Sequence, residues 1–238
     1  MLVADGKYDQ IVYDARAAVG AEAKEYNVGG NEGVNNLFIE SEKRALDIAD
    51  GCIAVSHKLK TYWAKELGKE VDKSTFVIPC TLTSQATNEA VKIESGEEVR
   101  VVYAGGTGPW QSFDKVTSLF AEALERQQDL KVIFLTKEHE AITRLVEQFP
   151  NRIERKWLKH NEVSSFLESC DYGILIREDN WTNRVASPVK FAEYLNSGLR
   201  VLISQKLGDF SDLVVQNELG MIIELSLIHI SEPTRQKP

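Results

Sequence analysis

Between Val99 and Ile223 short apolar runs alternate with amphipathic stretches, and this alternation restricts the possible folds more than any other feature of the chain. The runs Val99–Ala104, Lys131–Leu135, Ile153–Leu158, Tyr172–Ile176, Val201–Ser204 and Met221–Ile223 read as strands. Phe113–Arg126, Glu138–Phe149, Asn161–Ser169, Pro188–Ser197 and Asp209–Gln216 show helical spacing. Strands joined by single helices imply a parallel sheet with right-handed crossovers and helices on both faces, so the expected class is α/β. Ligands in such sheets bind beyond the C-terminal strand ends, which selects the loops to read for function.

The stretch before Val99 reads as part of a second unit of the same kind. Strands are expected at Asp9–Tyr13, Cys52–Val55 and Phe76–Ile78, and helices at Asn36–Ala49 and His57–Leu67, the latter capped by Ser56. Val28–Asn36, rich in Gly and Asn, reads as a mobile loop. The polar run Thr81–Glu98 lacks periodicity and suits a linker. The expected organisation is a first unit over 1–80, a linker over 81–98 and a second unit over 99–224.

The helix after Tyr172–Ile176 carries the clearest punctuation. Ser187 suits an N-cap, Pro188 the first helical position, and Gly198 the position just past the end. The backbone at Ser187 to Val189, with N–H groups on Ser187 and Val189 but none on Pro188, offers donors and a partial positive charge to a phosphate. Glu193 follows about one and a half turns further in, where a carboxylate could accept bonds from a ribose. Lys190 is a cation in the first turn, where the helix dipole disfavours it, which hints at a bound anion. An ordinary αβ unit with good caps, a surface Glu and a solvated Lys accounts for the same residues.

Other candidates lie at strand ends. Gly105 and Gly106 follow the strand Val99–Ala104 and would let backbone approach a ligand, although Gln111 breaks the G-x-G-x-x-G fingerprint. Trp110 could stack on a base or serve as a packing anchor. Lys137 and Arg177 each follow a strand, where a cation could stabilise a leaving diphosphate. Asp14 and Arg16, past the first strand, could contact acceptor or donor phosphate. His57, His139 and His160 read as surface residues. In His57-Lys-Leu-Lys-Thr-Tyr-Trp-Ala-Lys, Tyr62 and Trp63 among lysines could touch an anionic membrane, the alternative being a solvated helix face.

The run Pro188-Val-Lys-Phe-Ala-Glu-Tyr-Leu-Asn-Ser-Gly-Leu-Arg-Val resembles the signature of family 4 glycosyltransferases, retaining enzymes with two Rossmann-like domains in the GT-B arrangement. Further matches are Ala49-Asp-Gly-Cys-Ile-Ala-Val-Ser56, Val101-Val-Tyr-Ala-Gly-Gly106, and Gly208-Asp-Phe-Ser-Asp-Leu213 leading to Leu219-Gly-Met-Ile-Ile223. Two positions depart from the pattern. Val185 replaces a second Glu that the family carries eight positions before the one at Glu193, and Arg200 replaces a Pro. The resemblance implies two Rossmann-like domains, the N-terminal one incomplete and the C-terminal one lacking its last elements. It also implies a sugar transferred with retention from a nucleotide-diphosphate sugar to a glycan or lipid-linked acceptor. Glu193 would hold the ribose, with Gly105, Gly106, Lys137, Arg177, Ser187, Val189 and Lys190 around the donor. Asp14 and Arg16 would face the acceptor.

Composition narrows the partners. A net charge of −8 and a pI near 5.2 argue against a general nucleic-acid binder. Cys52, Cys80 and Cys170 lack metal-ligand spacing and read as thiols in a reducing compartment. No apolar run reaches membrane-helix length. The expected location is the cytoplasm, with peripheral contact at the inner membrane face as a further option. Leu225-Ser-Leu-Ile-His-Ile-Ser-Glu-Pro-Thr-Arg235 looks like a translated sequencing adapter, so 225–238 is set aside as an artefact, a genuine amphipathic end being the other reading.

No Ser/His/Asp set, metal cluster, P-loop or Asp-x-Asp pair is present in the sequence. The expectation is a transferase in polysaccharide assembly that uses neither metal nor cofactor, with no protein group assigned as the catalytic base. The leaving diphosphate would take the proton of the incoming hydroxyl. A sugar-nucleotide epimerase of the same architecture and a non-catalytic nucleotide-sugar-binding remnant are the alternatives, and the 238-residue chain alone is expected to be inactive.

Overall fold

The computed structural model describes residues 9–71, 74–82 and 98–224. Most of the expected linker and the whole of 225–238 lie outside the described residues. Two parallel sheets organise the chain. The first, in the order β1-β2-β3, contains β1 (Val12–Ala15), β2 (Gly51–Ala54) and β3 (Thr75–Val77). With it go α1 (Val19–Tyr26), α2 (Glu32–Ile48) and α3 (His57–Glu66).

The second sheet contains β4 (Val99–Ala104), β5 (Leu130–Leu135), β6 (Ile153–Lys156), β7 (Tyr172–Leu175), β8 (Arg200–Ser204) and β9 (Gly220–Ile223). They are linked by α4 (Phe113–Arg126), α5 (Glu140–Gln148), α6 (His160–Leu167), α7 (Trp181–Arg184), α8 (Val189–Asn196) and α9 (Phe210–Gln216). The strand order is β6-β5-β4-β7-β8-β9, every pair parallel. The chain runs outward from β4 in one direction and then, starting at β7, in the other. This is the doubly wound arrangement whose ligand crevice opens where the strand order reverses.

Alternation of side chains explains why both faces are covered. Val102, Ala104, Ile133 and Leu135 pack with Leu167 of α6, Tyr194 of α8 and Phe210 of α9. Their neighbours Val101, Tyr103, Val132 and Phe134 point the other way, onto Phe113 and Phe120 of α4 and Ile142 of α5. A period of two with both sets apolar is the pattern of a strand buried on both sides.

The expected elements of the second sheet are present, with ends shifted by one or two residues. The first unit differs more. Val28–Asn36 is not a continuous loop: Asn31, in extended conformation, accepts the N–H of Val34 at 3.0 Å and starts α2 at Glu32. Helix α1 was not anticipated. It ends at Asn27 in the left-handed region, which Asn tolerates. The buried Glu42 of α2 accepts the N–H of Gly20 at 2.7 Å and the indole N–H of Trp63 at 3.0 Å, fastening α1 to α2 and α3. Burial pushes this carboxyl above its ordinary range, against the pull of those two donors.

The two sheet units are tied by reciprocal caps. The carboxylate of Asp209, before α9, accepts the N–H groups of His57 and Lys58 at 2.7 and 3.2 Å, at the start of α3. Glu25 of α1 accepts those of Trp181 and Thr182 at 2.8 and 2.9 Å, at the start of α7. Ser56 caps α3 as expected, taking the N–H of Leu59 at 3.0 Å while donating to the carbonyl of Val185 at 2.7 Å.

Candidate functional site

The C-terminal ends of β4, β5 and β6 open onto a groove of about 500 Å³ lined by Gly105, Gly106, Lys137, Trp157, His160 and Lys190. A smaller cavity of about 170 Å³ shares His160 and Val163 with it and includes Glu193, Asn196 and Ser197. Gly105, Gly106, Lys137, Lys190 and Glu193, far apart in sequence, are thus brought to one edge of the sheet. Trp157, which sequence reasoning passed over, lines the same groove with its side chain largely exposed, 65% for the residue. The ammonium of Lys137 lies 5.7 Å from its ring centroid. An exposed indole just past a strand end is the signal that could have found it; Trp110 drew attention instead and packs over Gly108.

The crevice between the β4 and β7 loops is bridged by protein. The guanidinium of Arg177 donates to the carbonyl of Gln111 at 2.7 Å, and the N–H of Glu178 donates to the Ser112 hydroxyl at 2.9 Å. Arg177 is only 7% exposed and makes no ion pair among the described residues. Burial lowers its affinity for the proton, an effect opposed by Tyr103, whose hydroxyl donates to the Gly106 carbonyl at 2.5 Å. Arg177 thus ties the end of β7 to the Gln111 turn and lines neither the groove nor the smaller cavity.

Helix α8 starts differently from expectation. Its N-cap is Pro188, and the first helical residue is Val189. The Ser187 hydroxyl accepts the N–H of Cys80 at 2.9 Å, so it is spent on the first unit and caps nothing. Ser187 lines a separate groove of about 490 Å³ with Ser56, His57 and Asp209. The N–H groups of Val189 and Lys190 meet no acceptor among the described residues. Lys190 bonds Glu193 at 2.5 Å, so the acid that was read as a free ribose ligand is paired, its side chain 16% exposed. At the other end Gly198 has φ +81°, and Leu199 and Gly198 donate to Tyr194 and Leu195 at 3.0 and 3.1 Å. That is the glycine-terminated cap read from the sequence.

The remaining candidates lie elsewhere. Asp14 is not past the first strand but within β1, which runs from Val12 to Ala15 and not from Asp9 to Tyr13, because Asp14 pairs with Ile53 of β2. It forms an exposed pair at 2.8 Å with Arg16, just past β1, and neither residue lines the two cavities beside α8. Tyr62 and Trp63 are buried against the first sheet, so the aromatic part of the membrane reading of α3 does not hold. They were drawn inward because each lies on the apolar face of α3. His139 caps α5 through Nδ1, which accepts the Ala141 N–H at 3.2 Å. Among the described residues no helix is long and apolar enough to span a membrane, and no cluster of three or more His, Cys, Asp or Glu could hold a metal.

Two parallel α/β sheet units in one chain are the elements of the GT-B glycosyltransferase fold. Solved structures bear this out. The chain is similar to sucrose-phosphate synthase from Thermosynechococcus elongatus at 15% identity and a TM-score of 0.61, over 92% of this chain and 56% of that one. For TarM the identity is 14% and the TM-score 0.65, over 94% and 42%. The α,α-trehalose-phosphate synthase (UDP-forming) from Burkholderia xenovorans, in complex with glucose-6-phosphate, matches at 11% and 0.62, over 94% and 59%. The chain thus spans little more than half the length of these proteins, or less. No family model matches it, and no curated protein matches it in sequence.

Proposed function

We propose that this chain carries the donor-binding half of a glycosyltransferase that uses a nucleotide-diphosphate sugar. One observation carries the reading: Gly105, Gly106, Lys137 and Lys190 converge on a single groove beyond β4, β5 and β6, beside the cavity of Glu193. Two cations, two glycines that admit backbone contact and the free N–H groups of Val189 and Lys190 suit a diphosphate. The Trp157 indole offers a flat apolar face to a base or sugar, and Glu193 an acceptor for ribose hydroxyls. In a retaining transfer the bond from anomeric carbon to diphosphate breaks, and a bond to the acceptor oxygen forms on the same face. The acceptor proton passes to the departing diphosphate. A glycan or lipid-linked acceptor fits the family resemblance, with Asp14 and Arg16 on the acceptor side and Arg177 tying β7 to the Gln111 turn that follows the glycines.

A second reading, a binder that does not turn its ligand over, is favoured by Val185. This residue stands where the family carries a carboxylate, and it is 0% exposed, packed into the core of the first unit. Saturation-transfer NMR with a panel of nucleotide sugars tests both. Transfer to the donor, with shifts at the Gly105, Gly106 and Lys190 amides, supports the site, and its absence for every donor sinks it. Release of free nucleoside diphosphate by the complete two-domain enzyme, supplied with donor and acceptor, distinguishes transferase from binder.

A further inference from the structure

Lys190 and Glu193 share one turn of α8 but face different cavities. The lysine lines the 500 Å³ groove with Gly105 and Gly106, and the acid lines the 170 Å³ cavity next to it. Among the described residues, their 2.5 Å bond is the only link between a cation of one cavity and an acid of the other. A lysine in the first helical turn is disfavoured by the dipole, and the pairing with Glu193 offsets that cost. Its side chain is about one third exposed, 32%, so the ammonium can reach a second anion with little desolvation. A diphosphate carries more charge than a carboxylate and offers several strong acceptors, so it competes well for the ammonium.

We propose that Lys190 is a positioning residue: it holds the Glu193 carboxylate in the free protein and releases it to the nucleoside when a diphosphate takes its ammonium. This rests on the nucleotide-sugar reading of the groove. The diphosphate and nucleoside parts of one ligand then bind cooperatively, because each gains from the same shift of a single ion pair. Free nucleosides, which offer Lys190 nothing, must compete with it for Glu193.

The test is calorimetric or NMR titration of the wild type, Lys190→Met and Lys190→Arg with uridine, cytidine, adenosine, guanosine and their 5′-diphosphates. For the base that binds best, Lys190→Met is expected to weaken the diphosphate about tenfold, the loss of one charge-assisted hydrogen bond. The same variant should bind the corresponding nucleoside roughly two- to fivefold tighter, because the freed carboxylate no longer has a competing partner. Lys190→Arg should recover most of the diphosphate affinity. Opposite signs for the two ligands are what a merely structural lysine cannot produce. Equal weakening of both, or no change in either, overturns the release mechanism while leaving the nucleotide site standing. Failure of every diphosphate to bind the wild type removes the nucleotide reading, and the mechanism with it.

Discussion

The carboxylate of Glu25 accepts both the backbone N–H and the hydroxyl of Thr182, at 2.9 and 2.5 Å, across 157 residues of chain. Its counterpart is Asp209, which caps α3 from the opposite unit. Each unit thus supplies an acid to a helix start of the other, satisfying donors that the helix itself leaves free. Around them Val185 packs into the first core, and Lys58 pairs with Asp212 at 3.3 Å.

Removing either cap should loosen the junction. Glu25→Ala and Asp209→Ala are each expected to cost about 1–2 kcal/mol, the scale of a lost N-cap. Because both fasten the same junction, a double-mutant cycle should show coupling of about 0.5 kcal/mol or more. Urea denaturation of the four proteins measures this, and strict additivity would mean that the caps act separately.

Gly173 of β7 should tolerate nothing larger. A Cβ there would stand 2.3 Å from the Tyr194 ring, which is fully buried and whose hydroxyl accepts the Ala104 N–H at 3.0 Å. Gly173→Ala is expected to destabilise the protein by about 2–3 kcal/mol through overpacking. A Cβ at Gly106 meets nothing within 4 Å, so Gly106→Ala should stay within about 0.5 kcal/mol of wild type in thermal unfolding. Because Gly106 lines the groove, the same methyl should weaken nucleotide binding.

Hydrogen bonds from Arg184, and then from Lys206, hold the Asp179 carboxyl at about 2, below its ordinary value near 3.8. A depressed folded-state value means that the contribution is complete above the ordinary value and is lost as pH falls through the lower one. The β7–α7 and β8–α9 loops should therefore separate only in strong acid. Carboxyl NMR should find Asp179 titrating near 2, and Asp179→Asn should abolish the acid-induced shifts at Arg184 and Lys206.

Glu193→Ala is expected to weaken nucleoside diphosphate affinity by about 1.5–3 kcal/mol, the range for hydrogen bonds to a charged group. Titration calorimetry reads this directly. An unchanged dissociation constant would take Glu193 out of the site.

Much of the architecture was readable because its signals are local. Val101 to Ala104 alternate faces within four consecutive residues, Ser56 reaches an N–H three residues on, and Gly198 adopts a backbone conformation that favours glycine. The Lys190–Glu193 pair is equally local, since residues three apart on a helix are neighbours.

What escaped the sequence was decided between distant residues. Ser187 has the chemistry of a cap, yet Cys80 claims its hydroxyl across 107 positions. Helix α1 is Ala-rich and short, and what fixes it in place is Glu42 of the next helix. Tyr62 and Trp63 looked like surface aromatics until the first sheet covered them. Pattern and propensity act over a few residues, so the amino-acid order alone determined most strands and helices of the second sheet unit and that its sheet is parallel, but not α1 or the early start of α2. Which loops meet at one groove, and which polar groups are already spent, depended on long-range packing, where a single hydrogen bond to a remote residue outweighs any local preference.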